Sequence, residues 1–160
     1  MSSIQVVQLN ALKPYGKNSR IHSGAQVEQL ASSMSEFGFT NPVLVDESMT
    51  ILAGHGRVLA AIMLGLESAP CIVISGMTEL QKQAYVLADN KLAMTSGWNE
   101  EVLRSEMENL KAVGFDLDLI GFGKHELAKM LIPQIKTTSD VPEDAGYEHE
   151  CPSCGHEFNA

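Results

Sequence analysis

The stretch Ile51-Leu52-Ala53-Gly54-His55-Gly56-Arg57-Val58-Leu59-Ala60-Ala61 sets the narrowest limits on what this chain can become. A short apolar strand enters a Gly-x-Gly-Arg turn, and the turn opens without a break into a helix-forming run. The first amides of such a helix have no intrahelical acceptor and carry the positive end of the helix dipole. Glycines at Gly54 and Gly56 allow close approach of the backbone to a ligand, and Arg57 adds a planar, permanently charged fork. Together these parts describe a phosphate cradle. The same spacing also serves a plain strand-to-helix turn with a solvated arginine, and spacing alone does not separate the two readings.

The rest of the chain places elements on both sides of this turn. Ile4 to Leu9 alternates as a half-buried strand, and Asn10 to His22 reads as a loop carrying Lys13, Lys17 and Arg20. Ser23 caps a helix that runs through Phe37, with Gly38 as its left-handed terminator. Val43-Leu44-Val45 and Thr50-Ile51-Leu52 form a hairpin around Asp46-Glu47-Ser48. The helix from Gly56 to Leu64 ends at Gly65, and a strand follows from Cys71 to Ile74. Thr78-Glu79-Leu80-Gln81 is a capping box that starts a helix reaching Ala88, after which Asp89-Asn90-Lys91 makes a polar cluster. Asn99 caps a further helix from Glu100 to Val113, and shorter helical pieces lie near 117–120 and 124–131. No internal repeat is present.

A chain of 160 residues with 44% hydrophobic content and a mean hydropathy near zero is expected to be a soluble globular domain plus a tail. No apolar run approaches a membrane span, so no membrane partner is expected. The first residues lack the signature of a secretory signal, and a cytoplasmic chain is the expectation. The net charge of −9 is uneven: residues 1–91 hold six Lys/Arg against seven Asp/Glu, and the remainder holds five against thirteen. That argues against a broad basic face for wrapping nucleic acid. It leaves room for a local patch of Lys13, Lys17, Arg20, Arg57, Lys82 and Lys91. Cys71 reads as a small buried hydrophobe, and three cysteines give no disulfide framework.

Taken in order, the Pro14-to-Arg20 loop, the helix ending Glu36-Phe37-Gly38, Pro42-Val43-Leu44-Val45, Ala53-Gly54-His55-Gly56-Arg57 and Asp89-Asn90-Lys91 resemble the ParB/sulfiredoxin superfamily. The likeness is to the ParB-like N-terminal domains (ParB-like nuclease domains) of phages and plasmids. It implies an α/β (α+β) fold: a small mixed sheet with packed helices, then a helical C-terminal subdomain and a flexible tail. The domain boundaries expected are 1–92 for the nucleotide-binding domain, 93–131 for the helical extension, 132–146 for a linker and 147–160 for the tail. The resemblance implies a nucleotide pocket. In it Arg20, Gly54, His55, Gly56, Arg57, Asn90 and Lys91 would meet phosphate, and Asp89 would hold Mg²⁺. Asp89 and His55 are the candidate catalytic groups. Asp89 and Asn90 also make ordinary helix-end residues, and Lys91 suits a helix C-terminus through the dipole alone.

Departures from the family narrow the reading. Chromosome-segregating members carry Glu-Arg where this chain has His55-Gly56, so one cationic phosphate contact is missing. Sulfiredoxins place a Cys inside the turn, and neither His55 nor Gly56 is a thiol. No Walker lysine follows the glycines. The chain is expected to lack the longer basic helix-turn-helix region that follows the pocket domain in segregation proteins, and the helices after the pocket are acidic. No methyltransferase motif is present.

In the tail, Cys151-Pro152-Ser153-Cys154-Gly155-His156 is half a zinc ribbon, with His149 and His156 as local candidates to complete a Zn²⁺ site. A tail with two free thiols is the alternative. The leading expectation is a domain binding CTP or ATP with Mg²⁺ in phage or plasmid DNA transactions, with slow nucleotide hydrolysis as an option. The alternatives are a ParB-like DNA nuclease, or a non-enzymatic adaptor beside a DNA methyltransferase or packaging partner. DNA, a protein partner recruited by the tail, and a second copy in a homodimer are the macromolecular partners to be considered.

Overall fold

The computed structural model describes residues 3–131, together with 149–150 and 157–158. Its centre is a mixed four-stranded sheet in the order β1-β4-β2-β3. Strand β1 (Ile4–Gln8) pairs antiparallel with β4 (Ser68–Ile74), β4 runs parallel to β2 (Val43–Asp46), and β2 pairs antiparallel with β3 (Ile51–Ala53). The parallel pair follows from the connection, because β3 and α2 (His55–Met63) lie between β2 and β4 and carry the chain back to the same end.

Helix α1 (Gly24–Phe37) packs against α2 through Val27, Ala31, Met34, Ala60 and Ala61. The three alanines let the two backbones approach closely. The sheet closes its own cluster of Leu12, Val43, Val45, Ile51, Val58, Ala69 and Cys71. Burying side chains of this size contributes about 1.5–3 kcal/mol each. Cys71 is fully buried and burial pushes its thiol up, in keeping with a packing role. Helices α4 (Glu100–Ala112) and α5 (Lys124–Leu131) bury Met107 and Leu127. The segment after α4 reaches the end of α1 through a Phe37–Phe115 stack with centroids 6.2 Å apart. Among the described residues no helix is long and apolar enough to cross a membrane.

Local signals set most boundaries. Ser23 Oγ accepts from the amide of Gln26, and Thr78 and Gln81 form the reciprocal capping box. Gly38 ends α1 with φ 78° and ψ −177°. This is a glycine-only conformation outside the left-handed helical region, so the expected left-handed cap is replaced by a sharper exit. The helix expected to end at Ala88 is α3 (Glu79–Leu92), one turn longer. Its polar end, Asp89-Asn90-Lys91, contains no Gly or Pro to stop it.

One ion pair crosses from α3 to the sheet. Lys82 Nζ lies 2.8 Å from Asp46 Oδ2 and 2.8 Å from Glu79 Oε1, and both Lys82 and Asp46 are buried. Asp46 Oδ1 also accepts from the amides of Ser48 and Thr50. Burial opposes ionisation of Asp46, yet the bonds from Lys82, Thr50 and Ser48 outweigh it and hold the carboxyl below its ordinary range. Bonding to Asp46, then to Glu79, raises the Lys82 ammonium. Lys82 is therefore committed inside the fold, which removes it from the basic patch that its charge suggests.

The tail contributes a two-stranded ladder of β5 (His149–Glu150) and β6 (Glu157–Phe158), with His149 opposite Phe158. Cys151, Cys154 and His156 of the expected Zn²⁺ site, and the whole of the expected linker 132–146, lie outside the described residues.

Candidate phosphate-binding cleft

The end of β3, the start of α2, the loop before α1 and the last turn of α3 meet around a cleft of about 280 Å³. Gly54 joins β3 to α2 at φ 101°, a conformation that disfavours any residue with a Cβ. With no side chain it leaves α2 without a side-chain cap, and the first helical bond is Val58 N–H to Gly54 O. The amides of His55, Gly56 and Arg57 thus lie at a bare, electropositive helix start along the cleft wall.

Arg57 folds back over this turn. Its Nη1 donates to the carbonyls of Asn41, at 2.6 Å, and Pro42, at 3.0 Å. A Cβ built on Gly54 would stand 3.1 Å from Nη2 and 3.3 Å from Cζ, so the absent side chain makes the seat for the guanidinium. Burial lowers the pKa of Arg57, and the negative charge of Asp89 acts against that shift.

Gly56 lines the cleft and has a packing task as well. A Cβ there would lie 2.9 Å from Leu30 Cδ1 and 3.0 Å from His22 Cε1. Its lack of a side chain is used for packing α2 against α1 and His22. Beside it, His55 Nε2 accepts from the amide of Tyr15 at 3.2 Å, which fixes the early loop to α2 and requires that nitrogen to be unprotonated. That bond places the proton of the neutral ring on Nδ1, which can donate a hydrogen bond and has no lone pair to serve as a base. On the opposite wall, Arg20 Nη1 donates to Asn90 Oδ1 at 3.4 Å, and Asn90 Nδ2 donates to the Val86 carbonyl at 2.9 Å.

Of the residues singled out from sequence, the cleft gathers Arg20, Gly54, His55, Gly56, Arg57, Asp89 and Asn90. Lys91 is exposed and does not line it. Asn18, His22, Gln26 and Asn41 join the lining without having been expected. His22 Nδ1 lies 3.0 Å from Gln26 Oε1, one turn into α1. Its position directly before the Ser23 cap was the only sequence signal for it.

Asp89 is the sole carboxylate of the lining, and among the described residues no three His, Cys, Asp or Glu side chains cluster. One carboxylate suits a Mg²⁺ ion that arrives with phosphate oxygens and is unsuited to a resident metal held by protein alone.

The state of His55 yields a pH prediction. Burial, and next the nearby His22, lower its pKa from the ordinary 6.5. The unfolded chain therefore binds more protons just below that value, and the stabilisation is complete above it. As pH falls from 6.5 through the folded-state value, stability should decline, because protonation removes the acceptor for Tyr15. Urea denaturation of the wild type and His55→Asn between pH 7.5 and 5.5 should show the slope in the wild type alone.

Residues 1–91 match the family model of the ParB N-terminal domain, and residues 101–153 match that of the ParB-methyltransferase HTH domain. The described part of the second match includes α4 and α5, and the match overturns the expectation that no helix-turn-helix region follows the pocket. The ParB-like nuclease domain-containing protein YnaK of Escherichia coli (strain K12) is 57% identical over 75 residues, covering 47% of this chain and 86% of that protein. Among solved structures, the C-terminally truncated chromosome-partitioning protein ParB of Caulobacter crescentus, complexed with CTP-γ-S, superposes with a TM-score of 0.64 at 20% identity. The superposition covers 80% of this chain and 76% of that one. A Pnob8-like ParB-N domain gives 0.50 at 15% identity, over 71% of this chain and 46% of that one. At these identities the structural likeness concerns the fold.

Proposed function

We propose, since the chain belongs to the ParB N-terminal domain family, that its cleft binds the phosphates of a nucleoside triphosphate, CTP or ATP, together with Mg²⁺. The observation that carries this reading is the convergence of the uncapped α2 start and Arg57 on one wall with Arg20, Asp89 and Asn90 on the other. The amides and Arg57 would take phosphate oxygens, and Asn90 and Arg20 would exchange their mutual bond for bonds to the ligand. Asp89 would hold Mg²⁺, which supplies charge neutralisation between phosphates when bound. A volume of about 280 Å³ suits a phosphate chain and leaves sugar and base toward the mouth. The CTP analogue bound by the Caulobacter ParB supports CTP as the first ligand to try.

The setting we infer is a DNA transaction, supported by the match of residues 101–153 to an HTH domain found with ParB-methyltransferases. Residues 100–131 hold seven Asp/Glu against four Lys/Arg, so any DNA contact there would draw little from phosphate neutralisation. A second reading, DNA cleavage in the same cleft, is favoured by the name of the 57% identical relative.

Calorimetric titration with CTP, ATP and GTP, each with and without Mg²⁺, tests the first reading. Saturable binding of one of them that depends on Mg²⁺ is expected. Asp89→Ala should weaken the Mg²⁺-dependent part about tenfold or more, the loss of one charged ligand contact. Absence of any nucleotide binding, with plasmid nicking that disappears in Asp89→Ala, would replace it by the second reading.

A further inference from the structure

We propose that the β2–β3 turn is a clasp that sets where α3 stands along the cleft, with Asp46 and Lys82 as positioning residues for the ligand that α3 meets through Asp89 and Asn90. The inference rests on the nucleotide reading for its ligand and on geometry alone for the clasp.

Helix α3 has a meagre apolar mount. Val86 is its one buried apolar side chain, while Leu80 and Leu87 are exposed. Lys82, Val86 and Asp89–Asn90 recur at helical spacing, so they share the inward face of α3. What fixes that face at its N-terminal end is charge. Lys82 Nζ reaches Asp46 Oδ2 at 2.8 Å, and Asp46 is itself held by the amides of its own turn, Ser48 at 2.9 Å and Thr50 at 2.8 Å. The anchor therefore cannot swing with the lysine. The next residue of the turn repeats the grip, since Glu47 Oε1 accepts from the Gly76 amide at 2.7 Å in the segment leading into α3.

Neither Asp46 nor Lys82 lines the cleft. Asp89 lies seven residues beyond Lys82, about 10 Å along a rigid helix. A shift of the clasped end is thus delivered to the cleft wall. Val86 packs the middle of α3 and the exposed Arg20–Asn90 bond lies at its C-terminal end, so the clasp is the polar anchor of its N-terminal end.

Lys82→Met keeps the stem and removes the charge, Asp46→Asn keeps an acceptor for the turn amides, and Lys82→Arg restores a cation. The expected result is Mg²⁺-CTP binding about tenfold weaker in Lys82→Met and Asp46→Asn, with Lys82→Arg returning most of it. Hydrogen exchange should rise about tenfold in residues 79–92 alone, with residues 24–37 and 68–74 unchanged. Uniformly faster exchange across α1, β4 and α3 would overturn the proposal and leave the pair a general stabiliser. So would protection of α3 equal to that of the wild type. A wild-type chain that binds no nucleotide would sink the functional reading, and the exchange pattern would still decide the clasp.

Discussion

Arg57→Met is expected to bind Mg²⁺-CTP at least tenfold to a hundredfold more weakly than the wild type and to unfold at lower urea. The binding loss follows from removing a cation that faces phosphate, an interaction of about 1.5–3 kcal/mol when charge-assisted. The stability loss has a separate origin. Nη1 serves the carbonyls of Asn41 and Pro42, and in the variant these acceptors lose their donor. The exposed Asn41 carbonyl can turn to water, and the half-buried Pro42 carbonyl left unpaired costs roughly 1 kcal/mol. Arg57→Lys separates the two effects: it keeps a positive charge but loses the fork, so it should recover part of the affinity and little of the stability. Calorimetry and urea titration of the three proteins check this. Equal affinity in Arg57→Met and wild type would remove the phosphate role.

Gly54→Ala is expected to be the most damaging small substitution in the cleft. A residue with a Cβ at φ 101° carries strain of about 1–3 kcal/mol, and nothing in the turn compensates it. The new methyl would also stand 3.1 Å from Arg57 Nη2, on the surface where the guanidinium now rests. The guanidinium must move, and its bonds to Asn41 and Pro42 move with it. Affinity should fall about tenfold along with stability. Gly56→Ala makes the control. Its tight contacts are the end of Leu30 and the ring of His22, both side chains that can yield, so about 1 kcal/mol of destabilisation is expected. If Gly54→Ala unfolds and binds like the wild type, the turn does not need its glycine and the seat for Arg57 is not as described.

The elements with local signatures were legible from the sequence. Ser23, Thr78 with Gln81, and Asn99 announce helices that begin where those side chains accept a bond from the helix start. The hairpin around Asp46 and the strand at Cys71 follow from short apolar runs between turn residues. The family order brought Arg20, Arg57, Asp89 and Asn90 to attention, and the fold places them around one space. What stayed hidden depends on partners distant in the chain. Nothing near Lys82 discloses Asp46, 36 residues away, and the charge reads as surface until the sheet is built. The packing task of Gly56 was equally hidden, because Leu30 and His22 come from another part of the chain. The end of α3 was misjudged for a local reason: Asp and Asn weaken a helix without stopping it, and no Gly or Pro follows Ala88.

The cleft's side chains are set by polar ties: Arg57 to two carbonyls, Tyr15 to His55, Arg20 to Asn90, Lys82 to Asp46. The apolar clusters beneath specify the fold without them. Selection can therefore rework the walls one side chain at a time while the foundation goes on folding the same way. A scaffold divided like this lends itself to descendants that share a shape and differ in what they hold.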